Sequence, residues 1–218
     1  MDEIFNGNLT QQEPISEVAV EAAIKILRSG RLHRYNTAEG EIDETSLLEV
    51  EFAELVGAKF ALAVTSGGYA MGCALRAIGV KKDDLVLSNA FTLAPVPGAI
   101  DGVGAKPVFV DIDEETLLID PDKIEEAITP RTKAIIPVHL YGRVCDMEKI
   151  NKISKKHNLV VIEDTAQAFG ASCHCGKPAG MMSDVGTFSF YKTKNLSTFE
   201  GGMICIPCLL YTSPSPRD

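Results

Sequence analysis

No apolar run in this 218-residue chain approaches the length of a bilayer span. The opening residues, MDEIFNGNLTQQEPISEV, hold no charged-then-apolar leader, so no secretory signal is read there. Basic residues are in deficit, 21 Lys and Arg against 30 Asp and Glu, for a net charge of −9. That balance is the reverse of a nucleic-acid-binding footprint. These absences argue against a membrane protein or a general nucleic-acid binder, and the expectation is a cytoplasmic protein. Two phosphate-binding signatures are also missing: there is no Gly-Lys-Ser/Thr and no G-x-G-x-x-G. Neither an internal repeat nor a low-complexity tract is present.

Cysteine is the scarce residue that invites a metal reading. There are six: Cys73, Cys145, Cys173, Cys175, Cys205 and Cys208. Only CHC (173–175) and CIPC (205–208) form close pairs, and two close pairs alone do not fix a tetrahedral zinc site. The expectation is reduced thiols, some of them buried as small hydrophobes, and no metal. The patterns Asn8-Leu9-Thr10 and Asn195-Leu196-Ser197 match glycosylation acceptors but carry nothing without secretion.

What is present is ordinary globular material, 45% hydrophobic and 23% charged, long enough for one sizeable core and the beginning of a second domain. Two kinds of segment alternate. PISEVAVEAAIKILRSG reads as a helix, with Val18, Ala22, Ile26 and Leu27 on one face and Gly30 past its end. SLLEVEFAELVG reads as another, with Ser46 and Glu49 spaced as a capping box and Gly57 as the stop. YAMGCALRAIG, PDKIEEAI and MEKINKISKKH are further helical pieces. Between them FALAVT, DLVLSNAF, KPVFVDI, KAIIPVHL, LVVIED and VGTFSFY are short apolar strands. Wholly apolar, β-branched strands separated by helices predict a mainly parallel sheet covered on both faces, a three-layer α/β/α architecture. Ligands of such sheets bind at the carboxyl ends of the strands.

Residues following the strands attract notice: Ser66 to Gly68, Asn89 to Leu93, Asp111 and Asp113, His139 to Gly142, Asp164 and the lysine pair. VTSGGYA sets Gly67 and Gly68 between a strand and a helix, where bare N–H groups at the helix start, with the Ser66 hydroxyl, make an anion site. The same glycines are equally explained by turn geometry. LVVIEDTAQAFGA places Asp164 at the end of a buried strand and just before a helix, with Gln167 on that helix's first turn. Asp164 reads either as an N-cap or as the partner of a protonated ring nitrogen. In GTFSFYKTKNLSTFEGG, alternation groups Ser189 with Tyr191 and Phe188 with Phe190. It cannot choose between Lys192 and Lys194, which lie beyond the strand. His139 reads as a structural histidine in preference to a base, and Asp111 and Asp113 as strand-end and turn residues.

The combination is more specific than its parts. A phosphate-binding turn, an aspartate on a buried strand and a later lysine are what pyridoxal 5'-phosphate (PLP) requires: lysine for a Schiff base, aspartate to keep the pyridine nitrogen protonated, a helix end for the phosphate. GAKPVFVDID, ITPRTKAIIPVHLYG, VIEDTAQAFGA and FSFYKTKNLSTFEGG, in that order, resemble the DegT/StrS-type sugar aminotransferases of the aspartate-aminotransferase fold. The resemblance runs from about Arg31 to Ile204. It implies that Lys194 is the Schiff-base lysine and Lys192 a neighbour. It implies further that Ser189, Gly67 and Gly68 contact the phosphate, that Asp164 pairs with the ring nitrogen, and that Gln167 lies near the ring hydroxyl. The family usually shows Ser-Gly-Thr where this chain has Ser66-Gly67-Gly68, so one phosphate-binding hydroxyl is missing. It usually stacks an aromatic ring on the cofactor where AFTLAP places Leu93.

The resemblance implies PLP-dependent transamination of a nucleotide-linked keto sugar, with glutamate as expected donor, in amino-sugar and polysaccharide biosynthesis. It also implies a homodimer and a longer polypeptide with a small C-terminal domain. Lys194 argues against the subgroup in which histidine replaces the lysine and the enzyme dehydrates. The alternatives are another PLP enzyme of the same fold, an amino-acid aminotransferase or cysteine desulfurase, or an inactive fragment or non-enzymatic regulator. The expected domain layout is an N-terminal segment with an incomplete large PLP-binding domain over 1–207. The remaining run, CLLYTSPSPRD (208–218), resembles translated adaptor sequence and is expected to be a non-native tail.

Overall fold

The computed structural model describes residues 14–34, 40 and 42–207; the expected tail, Cys208 and Asn8-Leu9-Thr10 lie outside the described residues. The chain divides into two units, 1–44 and 45–218. The first contains helix α1 (Glu17–Ser29). Its start is capped by Ser16, whose hydroxyl accepts from the Ala19 amide at 3.3 Å, and Gly30 ends it in the left-handed conformation at φ 70°.

The second unit is a seven-stranded sheet with its helices. In chain order these are α2 (Glu44–Val56, its first residue on the boundary), β1 (Phe60–Val64), α3 (Gly67–Ala77), β2 (Leu85–Asn89), α4 (Pro95–Asp101) and β3 (Lys106–Val110). They continue with α5 (Pro121–Ala127), β4 (Thr132–Ile136), α6 (Met147–His157), β5 (Val160–Asp164), β6 (Val185–Ser189) and β7 (Gly202–Ile206). The strand order is β1-β7-β6-β5-β4-β2-β3. β3, β2, β4, β5 and β6 pair in parallel, and β7 runs antiparallel to both β6 and β1.

The expected architecture holds. In β4 the successive residues Ala134, Ile135 and Ile136 are all fully buried, and neighbours along a strand point to opposite faces, so both faces of the sheet are covered. α3 packs with α4 and α5 with α6 against the central strands, where Leu75, Ile100, Ile124, Ile150 and Ile162 share one apolar cluster. A second cluster forms where Phe52 of α2 meets Phe188 and Phe190, its ring lying 5.0 and 5.4 Å from theirs.

Some local expectations need correction. α2 begins at Glu44, so Ser46 lies inside the helix and not at a capping box; the Glu49 carboxylate instead accepts the Ala63 amide of edge strand β1 at 2.8 Å. No helix follows Asp164: residues 166–170 form turns, closed by Ala168 N–H to Thr165 C=O and Ala171 N–H to Ala168 C=O. Gly170 at φ 85° stops helical continuation there, and Phe169 is held by stacking on Phe52. α4 and β7 were not read from sequence. Cys173 and Cys175 are joined in a disulfide, against the expectation of free thiols.

Candidate active site

The carboxyl ends of the parallel strands converge on a cavity of about 310 Å³. Its lining includes Ser66, Gly67, Gly68, Leu93, Asp164, Gln167, Ser189 and Lys194, the full set of residues singled out from sequence. Topology explains the convergence. The chain leaves β1 at one edge of the sheet, crosses to β2 near the other, and works back through β4, β5 and β6 to β7 beside β1. Each strand end therefore delivers its loop to one rim.

At the first strand end, Ser66 caps α3: its hydroxyl accepts the Tyr69 amide at 3.1 Å. Gly67 has no room for a side chain, since a Cβ there would lie 2.8 Å from the Ser189 Cβ. Gly202 is as constrained, its Cβ falling 2.5 Å from the Ser66 carbonyl carbon. The helix start is thus wedged between the ends of β6 and β7, and its Gly67 and Gly68 amides are unshielded by side chains. Gly68 differs: its nearest neighbour for an added Cβ is Pro95 at 3.6 Å, an ordinary contact.

The second loop is fixed by Asn89. Its Nδ2 donates to Val138 C=O and its Oδ1 accepts the Val138 N–H, both at 3.0 Å, so a buried side chain replaces backbone pairing where the β2–β4 ladder ends. Beyond it come Leu93, 55% exposed on the cavity, and Thr92. The Thr92 Oγ1 is buried and has no hydrogen-bond partner. The sequence sets Thr92 within the strand-end segment Asn89 to Leu93 but gives it no role, because its meaning lies in the missing partner.

Asp164 is buried at the end of β5, with Oδ1 accepting the Ala166 amide at 2.9 Å. Burial pushes its pKa up from the ordinary 3.8, while that amide and the nearby Lys194 pull the other way. A buried carboxylate under such a penalty is a receptor for a cation. Lys194 stands in the cavity wall, its amide bonded to Tyr191 C=O at 2.8 Å. Lys192 lines neither this cavity nor the next; its Nζ lies 5.6 Å from the Tyr191 ring centre.

His139 stands on the opposite side of β5. Its Nε2 meets Glu163 Oε2 at 2.9 Å, and its Nδ1 accepts the Cys145 amide at 3.1 Å. Burial disfavours the imidazolium, while the contacts with Cys145 and Glu163 favour it. The Cys145 N–H nevertheless needs a lone pair on Nδ1, and that contact makes the ring the neutral Nε2–H tautomer donating to Glu163. Glu163 also accepts Gly180 N–H, Met182 N–H and Ser183 Oγ, each at 2.8 Å. The pair is a buried strut, closed to substrate. Cys205, buried in β7, has its thiol pushed up to about 12 by burial, and a protonated thiol is a poor metal ligand. Among the described residues no group of three or more His, Cys, Asp or Glu is placed to hold a metal, and no helix is long and apolar enough to cross a membrane.

This architecture is that of an aminotransferase. It superposes on the X-ray structure of the aminotransferase from Psychrobacter cryohalolentis with a TM-score of 0.84 at 35% identity, covering 91% of this chain and 49% of that one. The chain belongs to the DegT/DnrJ/EryC1/StrS aminotransferase family, whose model matches residues 15–207. Among curated relatives it is 49% identical over 163 residues to a pleiotropic regulatory protein of Geobacillus stearothermophilus, covering 74% of this chain and 44% of the relative. It is 46% identical over 156 residues to the GDP-perosamine synthase of Caulobacter vibrioides, covering 72% and 42%. The chain thus spans less than half the length of these relatives.

Proposed function

We propose that this chain forms the cofactor-binding part of a PLP-dependent aminotransferase acting on a nucleotide-linked keto sugar. In this reading glutamate is the amino donor, the product feeds amino-sugar and polysaccharide biosynthesis, and the working enzyme is a cytoplasmic homodimer. The observation that carries the reading is the meeting of Ser66, Gly67, Gly68, Asp164, Gln167, Ser189 and Lys194 around one cavity.

The residues present fit PLP. The bare start of α3 suits a phosphate, and the crowding at Gly67 keeps it bare. The penalised Asp164 carboxylate suits a pyridinium nitrogen. The unpartnered Thr92 hydroxyl suits a polar ligand atom. When bound, PLP supplies a carbonyl for amines and an electron-withdrawing ring. Leu93 would pack against the ring, and Gln167 would lie near the ring hydroxyl. Lys194 Nζ would hold the cofactor covalently. The same amine, when free, would act as the base that carries the donor α-carbon proton to the cofactor. Asp164 would keep the ring nitrogen protonated.

Borohydride reduction of the PLP-loaded protein tests the lysine. The expected result is a pyridoxyl label on Lys194, and a label on Lys192 or on neither would sink the assignment. Lys194→Ala is expected to abolish aminotransfer from glutamate to 4-keto and 3-keto nucleotide sugars. The likeness to a pleiotropic regulatory protein supports a second reading as a regulator on the same fold. Turnover of any nucleotide keto sugar by the whole protein decides for the enzyme.

A further inference from the structure

The CHC motif is the one sequence feature that the proposed function does not absorb. Cys173 and Cys175 are disulfide-bonded at the tip of a short hairpin. The hairpin is built from Ala179 N–H to Ala171 C=O and Cys173 N–H to Lys177 C=O, both 2.9 Å, and from the Ser172–Pro178 bridge. Cys173 C=O also accepts the Gly176 amide at 2.9 Å, closing a turn across the bridged pair. The sulfurs are accessible, since Cys175 and His174 are exposed and Cys173 is half-buried.

Two observations say what such a bridge can do. First, it spans a sequence separation of only 2. So small a loop constrains the unfolded chain least, which makes the bridge a weak staple. Exposed bridges are those that exchange. Second, the hairpin base belongs to the active-site region. Ala171 lines a second cavity, about 420 Å³, whose wall also holds Gln167, Tyr141, Asn195 and Lys194. One residue past the hairpin, Gly180 N–H is anchored on Glu163, the neighbour of Asp164.

We propose that Cys173 and Cys175 form a reversible dithiol/disulfide centre that exchanges with low-molecular-weight thiols and sets the rigidity of the cavity wall at Ala171. In the reductive direction a thiolate attacks one sulfur of the bridge, the S–S bond breaks, and a mixed disulfide forms. A second small thiol resolves it. The protein pair gains two electrons and two protons, and the two small thiols leave as their disulfide. With the bridge open, the turn at 173–176 is held by backbone hydrogen bonds alone, and the hairpin frays toward Ala171.

The test needs no catalysis, so it stands apart from the aminotransferase reading. The purified protein is equilibrated under native conditions with defined ratios of glutathione to glutathione disulfide. Free thiols are alkylated, and the peptide spanning Cys173 and Cys175 is weighed. The expected result is two thiols appearing together as the ratio rises, and closing again as it falls, while buried Cys145 and Cys205 do not follow. A bridge that stays shut in excess dithiol until the protein unfolds, or thiols that never close at high glutathione disulfide, overturns the centre. Hydrogen exchange reads the coupling: protection of the segment containing Ala171 and Ala179 should drop on reduction, and equally in Cys175→Ser without reductant. Unchanged protection in the reduced wild-type protein overturns the link to the cavity wall.

Discussion

At the scale of single residues, Asp164 makes the sharpest claim. Burial raises its pKa above the ordinary 3.8, so between that value and its raised one the native state holds a proton that the unfolded chain releases. Stability of the PLP-free protein therefore falls as pH climbs through that window, and the loss is complete above it. Asp164→Asn cannot ionise. It is expected to flatten this fall, raise the neutral-pH melting temperature of the PLP-free protein and weaken PLP binding. Melting curves against pH, with and without PLP, check this; an unchanged slope with unchanged PLP affinity would reduce Asp164 to a cap of the Ala166 turn. Gly68 makes a claim of opposite sign. The resembled family carries a threonine there, and nothing within 3.6 Å opposes a Cβ at this position. Gly68→Thr is expected to add a phosphate-facing hydroxyl and tighten PLP binding, read by absorbance titration. Gly67→Ala should do the reverse, because its methyl meets Ser189, with overpacking costing about 1–3 kcal/mol in thermal unfolding.

At the scale of elements, legibility followed burial. β4 and β5 were visible because each carries a β-branched apolar run covered on both faces, Ala134-Ile135-Ile136 and Val161-Ile162, and helices such as α6 because one face alternates at helical spacing with charge. β7 escaped because MICI is short, sits between Gly-Gly and Pro, and takes its place only by pairing antiparallel with the distant β1. The Asp164 loop was misjudged because acceptance of the Ala166 amide looks alike at a helix start and in a turn; Gly170 and the stacking of Phe169 on Phe52 settle it tertiarily. The role of Thr92 and the Asn89 bridge were invisible, since each is defined by a partner, absent or present, that only the folded chain supplies. Asn89→Ala tests the bridge. It strands the buried Val138 N–H and C=O together and is expected to cost about 2 kcal/mol or more in denaturant unfolding. Because Val138 and Leu93 line the same cavity, PLP affinity should fall with it. A loss under 0.5 kcal/mol, on the order of a neutral surface change, would show that water or relaxation replaces the bridge.

At the scale of the second unit, the sheet's β1 edge is incompletely covered. Phe60 and Leu62 project from one face of the edge strand and stand 40% and 48% exposed, and on α2 Leu47, Val50 and Leu55 are exposed as well. The Ala63 amide on this strand is already taken by Glu49, so part of its hydrogen-bonding capacity is masked while its apolar face is not. Exposed apolar side chains on both the strand and the helix favour association. The net charge of −9 works against it at low salt and is screened as salt rises. The expected behaviour of the chain in isolation is therefore concentration-dependent association that strengthens with ionic strength. Leu55→Lys combined with Leu62→Lys should suppress it while leaving far-ultraviolet dichroism and PLP titration unchanged, since neither residue lines a cavity. Light scattering across a salt series decides the matter. Association that weakens with salt would assign the contact to charged groups, and association untouched by the double variant would place it on a surface other than the β1 edge.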